Sequence, residues 1–336
     1  MNNYNQKILI DKIKTITGKS QYYKDYCWDN WNSVPVLDKG TVLNNYDKFI
    51  VHCENDKQII NRTSGSSGMM LSIPWSLRDS LFAMKQLWER RSNFGISLQD
   101  QYITCHANYW VNNELIDNKI IVNKNCHSIS KLYLSSDDIM QYIKYINDVK
   151  PTWMLLQPSV AYAIGMVLYE NNIHLTSLKL IELTGEHFTP EIYDSIKRLY
   201  GDINIANNYG MQEFFGIAYG TSPDFDLEIM CNSVCVEIMN DDNQQLPDGN
   251  EGNIVVSGLI NSAFPLIKYI TGDRGYITHK NNKQLLHITE SKSNDIFVFD
   301  NCKYDAAIFF NLIEYLNSKG FNILQFQFVY ENDLLK

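Results

Sequence analysis

The stretch "TWMLLQPSVAYAIGMVLYENNIHLTSLKLIELTGEHFTPEIYDSIKRLYGDINIANNYGMQE", residues 152–213, decides the fold. "TWMLLQPS" is an apolar strand stopped by Pro158, and "VAYAIGMVLYENNI" is a helix. "LKLIELTGE" is a buried strand, and "TPEIYDSIKRLYG" is a helix with Pro190 at its start and Gly201 after its end. "DINIANNYGMQE" is a strand followed by a glycine turn. Strands alternating with helices in this way build a mostly parallel sheet with helices layered on it.

Upstream, "SSDDIMQYIKYINDVKP" predicts a helix capped by Ser135 or Ser136, with acids in its first turn. "DQYITCHANYW" is a short strand carrying polar and aromatic residues out of its C-terminal end. Pro74 opens a helix in which Leu77, Leu81, Met84, Leu87 and Trp88 recur at helical spacing. "KQIINR" is a strand running into a Ser/Gly loop. Residues 1–60 alternate short helical and extended pieces, with a loop around Pro35. From about 224 the texture becomes antiparallel and β-rich, with "NDDNQQLPDG" as a hairpin connection.

The chain has 336 residues, 45% of them hydrophobic, which is enough for a sizeable core. A net charge of −9 with no basic run argues against nucleic acid, since phosphate-backbone binding needs concentrated positive surface. The seven cysteines are scattered and odd in number; Cys231 and Cys235 have no second half-site for a zinc tetrahedron. Reduced thiols in a cytoplasmic protein are the expectation. The N-terminus "MNNYNQKILIDKIK" lacks the apolar core of a signal peptide, and no segment has the length of a membrane span.

Polar segments recur at strand ends and turns: "TSGSSG" (63–68), "LTGEHF" (183–188), "NNYGMQEFFG" (207–216) and "YITGDRG" (269–275). In open α/β sheets, ligands bind beyond the carboxyl ends of the strands. "TSGSSG" alone reads equally as a flexible linker or as a loop wrapping phosphates. The segments together, with "KPTWMLLQPSVAYAI" and "NSAFPLIKYITGDRG", resemble the adenylate-forming superfamily of acyl-CoA synthetases and adenylation domains. The nearest look is to the phenylacetate–CoA ligase-like branch and the adenylating proteins of capsular polysaccharide clusters. The resemblance runs from about residue 60 to 300.

The resemblance implies ATP, Mg²⁺ and attack of a carboxylate on the α-phosphorus of ATP, with negative charge neutralised on both sides of the transferring group. Thr63, Ser64, Gly65, Ser66, Ser67 and Gly68 would be the phosphate loop, its glycines letting backbone N–H groups approach the phosphates. Gly185, Glu186, His187, Asn208 and Tyr209 would form the adenine wall, continuing through Gly210, Met211 and Gln212. Glu213 would hold Mg²⁺, and Asp273 would accept from the ribose hydroxyls. Thr63, Gln212 and Glu213 are the expected catalytic set. The acid would be lined by His106, Tyr109, Trp110, Asn207 and Phe214, a mixture that suits a small aryl, amino or polar acid better than a long acyl chain. "NYW" (108–110) reads equally as a core cluster, and Glu213 alone as a surface acid.

Four departures stand out. Met69 and Met70 occupy the place where the family's loop has a lysine, which leaves Arg62 or another base to supply the cation. Lys268 replaces an arginine. The family's hinge reads Glu290-Ser291-Lys292 here, and its C-terminal lysine motif is missing. The expected architecture is therefore α/β: a large adenylate-forming domain over 1–289 with mostly parallel layered sheets and a β-rich part from about 224, then a truncated α+β remnant over 290–336 that includes a helix in "AAIFFNLIEYL". Three readings follow: an acid-adenylating enzyme passing its acyl group to a thiol or amine of a carrier protein or acceptor subunit, an acyl-CoA ligase, and a nucleotide- or acyl-binding scaffold without turnover.

Overall fold

A computed structural model describes residues 3–28, 30–52, 56–63, 71–106, 109–111, 114–116, 118–221, 226–290, 296–299, 302–305, 316, 330–331 and 334–335. The elements begin with helices α1 (Asn3–Thr17), α2 (Lys39–Asn44) and α3 (Tyr46–Phe49). The Asp38 side chain starts α2 by accepting the Thr41 N–H at 2.6 Å. Strand β1 (Gln58–Arg62) pairs antiparallel with β2 (Ser72–Ser76).

Pro74 does not open a helix. It sits in β2 opposite Ile60, in a two-stranded ribbon where a missing N–H is tolerated. Helix α4 (Leu77–Ser92) begins three residues later. Its buried face is Ser80, Ala83, Leu87 and Arg91, while Leu77 and Leu81 are 39% and 64% exposed. Of the apolar stripe read from the sequence, Leu87 is buried and Met84 and Trp88 are half-buried, while Leu77 and Leu81 give their place to small and polar side chains that take the close contacts.

The chain continues through β3 (Tyr102–His106), β4 (Tyr109–Val111), β5 (Glu114–Ile116), β6 (Ile120–Asn123), β7 (Cys126–Ser130), α5 (Ser136–Val149), β8 (Trp153–Leu156), α6 (Pro158–Glu170), β9 (Leu180–Leu183) and α7 (Pro190–Tyr200). Then come β10 (Asn204–Met211), β11 (Phe215–Gly220), β12 (Leu227–Ile229), β13 (Val234–Met239), β14 (Gly252–Gly258), β15 (Tyr269–Lys280) and β16 (Lys283–Glu290). Two short hairpins follow, β17 (Ile296–Phe299) with β18 (Cys302–Asp305), and β19 (Tyr330–Glu331) with β20 (Leu334–Leu335). Of the helix expected in "AAIFFNLIEYL", Leu316 is helical and the rest lies outside the described residues.

These elements form two compact units. The first comprises Met1–Glu89, Tyr209–Tyr219 and Asp226–Asn294. Its strands run in the order β13-β14-β15-β16-β12-β11. Neighbours among them pair antiparallel, as the turn-rich sequence predicts. Ile13, Leu37, Phe49, Trp75, Ile217 and Phe264 are buried in its core.

The second unit comprises Arg90–Asn208, Gly220–Phe225 and Asp295–Lys336. Its sheet has the order β10-β9-β8-β3-β7-β6. The first five strands are parallel and β6 is antiparallel. Helices α5, α6 and α7 bury Ile143, Ala161, Ile164 and Ile196 with Ile181 and Leu183 of the sheet. Ser135 caps α5 through the Asp138 N–H, and Gly201, at φ +75°, ends α7. No helix among the described residues is long and apolar enough to cross a membrane.

Candidate active site

In the first unit, four of the predicted polar side chains, Thr63, Tyr209, Glu213 and Asp273, and one unpredicted lysine make side-chain hydrogen bonds. Thr63 follows β1; its amide donates to the Leu71 carbonyl at 3.0 Å, and its Oγ1 accepts the Leu71 N–H at 2.9 Å. The two bonds close the base of the loop. Ser64, Gly65, Ser66, Ser67 and Gly68 themselves lie outside the described residues. The second lone pair of Thr63 Oγ1 accepts from Lys39 Nζ at 3.3 Å, which turns the threonine hydroxyl proton outward as a donor.

Lys39 is held there by backbone. Leu37 forms a parallel bridge to Tyr269: its N–H donates to the Lys268 carbonyl, and its carbonyl accepts the Ile270 N–H, both at 2.8 Å. The same Tyr269 donates its hydroxyl to Glu213 Oε1 at 3.3 Å, and both residues are buried. Burial first, and then the Glu213 carboxylate, push the Tyr269 phenol far above its ordinary range. The Pro35–Lys39 segment, β15 and the turn after β10 are therefore one hydrogen-bonded assembly.

That turn differs from the sequence reading. Gly210 is inside β10, and the reversal occurs over Gln212–Phe214, with the Phe214 N–H donating to the Met211 carbonyl at 3.1 Å. Glycine is required at 210 because a Cβ would run into the carbonyl oxygen of Phe215, itself at φ +60°. The Gln212 carbonyl accepts the Trp75 indole N–H at 3.3 Å, so the turn is pinned from β2. Phe214 is a core residue, edge-on to the Tyr269 ring. With Glu213, Trp75 and Asn261 it lines a recess of about 10 Å³, room for one water.

Tyr209 donates its hydroxyl to Asp273 Oδ2 at 2.6 Å, and burial followed by the Asp273 charge drives its pKa well up. Asp273 is buried; its own N–H donates to Thr271 Oγ1 at 3.1 Å. Lys268 does not approach these carboxylates. It is buried, donates to the Trp31 carbonyl at 2.7 Å and lies 4.7 Å over that ring. Arg62 ends β1 exposed.

In the second unit, Gly185 adopts φ +81° after β9. The Glu186 carboxylate receives the N–H and hydroxyl of Ser159 at 2.9 and 2.8 Å, in the first turn of α6, where an anion meets the positive helix end. His187 and Asn207 are half-buried, and Asn208 is buried beside Glu182. His106 ends β3, with Nε2 at 3.1 Å from the Asn118 carbonyl and Nδ1 at 2.8 Å from Ser128 Oγ. The carbonyl can only accept, so Nε2 carries the proton and the serine donates to Nδ1. Tyr109 and Trp110 are in β4, paired with β5; their side chains lie outside the described residues.

Lys39 is the residue that reading the sequence missed. A single lysine after a capping aspartate carries no motif of its own; only the Leu37–Tyr269 bridge brings it to Thr63.

Similar folds are found among solved structures. 2-Hydroxyisobutyryl-CoA ligase in the postadenylation state, in complex with 2-HIB-AMP, superposes with a TM-score of 0.70 at 14% identity, covering 90% of this chain and 71% of that one. The same ligase in the thioesterification state gives 0.69 at 14%, covering 94% and 74%. McyG A-PCP complexed with phenylalanyl-adenylate gives 0.55 at 16%, covering 79% and 52%. No curated protein sequence matches. The model of the AMP-binding enzyme family matches residues 28–262, more than half of the chain, and so the chain belongs to the AMP-binding enzymes.

Proposed function

We propose that the protein activates a small carboxylic acid, aryl, amino or polar, as its acyl-adenylate with release of pyrophosphate. The acyl group then passes to a thiol or amine of a carrier or acceptor partner in the cytoplasm. The observation that carries this reading is the Lys39–Thr63 contact on the same assembly as Glu213 and the Tyr209–Asp273 pair. A scaffold has no physical use for a cation directed at a phosphate loop.

In the reaction a carboxylate oxygen attacks the α-phosphorus, the bond from phosphorus to the bridging oxygen breaks, and pyrophosphate leaves with the electron pair. The acid is already ionised, so no general base is needed, and His106 and His187 line or pack. Thr63 donates its hydroxyl to a phosphate oxygen, and Lys39 places positive charge where the leaving group accumulates negative charge. Asp273 accepts from the ribose hydroxyls, with Tyr209 fixing the carboxylate. Glu213 fits Mg²⁺: the ion takes one or two carboxylates plus waters and substrate phosphates, and Glu213 is a buried carboxylate beside a water-sized recess. When bound, the ion neutralises phosphate charge. In the second half-reaction the acceptor attacks the acyl carbonyl and AMP leaves.

Residues 1–289 are, in this reading, the large domain, and 290–336 the counterpart of the small one. An acyl-CoA ligase is the second reading, favoured by the likeness to a ligase in its thioesterification state. Pyrophosphate exchange into ATP over a panel of acids tests adenylation, and thioester formation on adding CoA separates the readings. ATP binding without exchange for any acid would leave only the scaffold.

A further inference from the structure

In the first unit two buried, opposite charges converge on one tryptophan rather than on each other. Lys268, just before β15, and Glu237, in β13, are each 3% exposed, and Trp31 is buried with them. Lys268 Nζ donates to the Trp31 carbonyl at 2.7 Å and lies over the indole ring. Glu237 Oε1 accepts the Trp31 indole N–H at 2.9 Å, while Oε2 is buried with no hydrogen-bond partner among the described residues. Burial pushes the Glu237 carboxyl up, against the Trp31 hydrogen bond and the Lys268 charge; it pushes the Lys268 ammonium down, against the Glu237 charge.

A short 3₁₀ turn, Trp31–Ser33, leads into extended backbone at Val34, and Asp38 then caps the helix that begins with Lys39. Leu37, in this segment, donates its N–H to the Lys268 carbonyl. Lys268 thus holds the segment twice, with its side chain at Trp31 and with its backbone at Leu37. Its own backbone is left-handed, at φ +53°, and its N–H is fixed on Ser257 Oγ at 2.9 Å. Glycine takes that conformation without strain and lysine does not, so the side chain is kept for its contacts. Stability does not account for the two charges, because well-packed apolar residues of similar volume commonly do as well.

We propose that Lys268 and Glu237 are positioning residues for the adenylation step: by gripping Trp31 they fix the segment that sets Lys39 against Thr63. The inference rests on the adenylation reading. Neither residue touches the nucleotide or Thr63; both act through Lys39, which is directed at the phosphates of the leaving group. Without the grip Lys39 is still present, but a misplacement of about 1 Å is enough to cost up to about 100-fold in rate.

Two variants test it: Lys268→Met removes the ammonium at similar length, and Trp31→Phe keeps a ring but removes the indole donor. Each is made in the wild type and in Lys39→Ala, and acid-dependent exchange of inorganic pyrophosphate into ATP is measured with Mg²⁺ over the acid panel. In the wild-type background Lys268→Met should lower exchange by about tenfold or more and raise the KM for pyrophosphate, because the cation that meets the leaving group is misplaced. In the Lys39→Ala background the same change should lower it by less than about twofold, since residues that act through one another are not additive. Trp31→Phe should show a smaller loss with the same dependence on Lys39. Lys268→Arg, which can still donate to the carbonyl and stack on the ring, should stay within about threefold of wild type.

Equal fold-losses in the two backgrounds, or a lower kcat with an unchanged KM for pyrophosphate, show a role in stability alone and overturn the inference. So does undiminished exchange in a folded Lys268→Met protein. If Lys39→Ala leaves no measurable exchange, the KM for pyrophosphate in the wild-type background decides. If Lys268→Met does not fold, the paired variant Glu237→Leu/Lys268→Met, which leaves no lone buried charge, must show the same Lys39-dependent loss, and Trp31→Phe with it. A wild type that exchanges with no acid strikes the adenylation reading, and this inference with it; exchange without coupling to Lys39 strikes this inference alone.

Discussion

Lys39 Nζ lies 3.3 Å from Thr63 Oγ1, where the chain enters the segment that carries Met69 and Met70. The two residues are 24 apart in sequence and are joined through the Leu37 bridge to β15. In the adenylation reading proposed above, this lysine supplies the cation at the phosphate loop.

Lys39→Ala should therefore lower acid-dependent pyrophosphate exchange by about 10²-fold or more, the usual effect of removing a donor aimed at developing charge. Stability should change by no more than about 0.5 kcal/mol, since no core contact is lost. Lys39→Arg should retain a measurable part of the rate. Exchange within threefold of wild type in Lys39→Ala would rule out the cation role and return attention to Arg62.

Glu213→Gln keeps the size and the Tyr269 contact but removes the charge. ATP with Mg²⁺ should raise the melting temperature of the wild type, because a ligand bound only by the folded state stabilises it. The variant should lose the Mg²⁺-dependent part of that rise and keep the part given by ATP alone. A full Mg²⁺-dependent shift in Glu213→Gln would mean that the ion binds elsewhere.

Gly210→Ala places a methyl group against the Phe215 carbonyl, in the hairpin that carries Glu213. Backbone must move, and overpacking of this kind costs about 1–3 kcal/mol. Denaturant unfolding should show that loss, and exchange should fall further than stability alone explains. An unchanged midpoint would show that the hairpin has more slack than its geometry indicates.

The β/α alternation over 152–213 was legible because long apolar strands, Pro158 and Pro190 at helix starts and Gly201 at a helix end are all local signals. The buried Glu213 and Asp273 stand in the stretches that the sequence singles out, "NNYGMQEFFG" and "YITGDRG". What was not legible depends on tertiary contact. Pro74 looks like a helix start until its pairing with Ile60 is seen. The stripe on α4 was only partly right: Leu87 is buried as read, but the polar Ser80 and Arg91 are buried beside it and Ala83. Lys39 and the grip of Glu237 and Lys268 on Trp31 have no spacing to betray them, since their partners lie on distant elements.

The final prediction concerns pH. His127 and His287 both have pKa values held below the ordinary 6.5, His127 by burial and His287 by burial partly offset by Asp226. His127 is satisfied as a neutral ring: Nε2 faces Gln101 Oε1 and Nδ1 faces the Tyr145 hydroxyl, both at 2.6 Å. An amide oxygen only accepts, so Nε2 is the protonated nitrogen and Nδ1 accepts from Tyr145; a second proton would break that bond. His287 stacks on Tyr276 and pairs through Nε2 with Thr278 Oγ1 at 2.8 Å. Between each lowered value and 6.5 the unfolded chain binds more protons than the folded one, so stability rises with pH there and is flat above. Asp38 and Asp138, held low by the Thr41 N–H and by Lys119 respectively, lose their stabilising effect only below their ordinary 3.8 and do not act in this window. The histidine contribution to the melting temperature should thus fall between pH 7.5 and pH 5.5, against an opposite contribution from Glu237, whose burial raises its carboxyl above the ordinary 4.5. A His127→Gln/His287→Gln protein should show a clearly smaller fall, whatever its absolute stability. An equal fall in both proteins would place the proton-linked groups elsewhere.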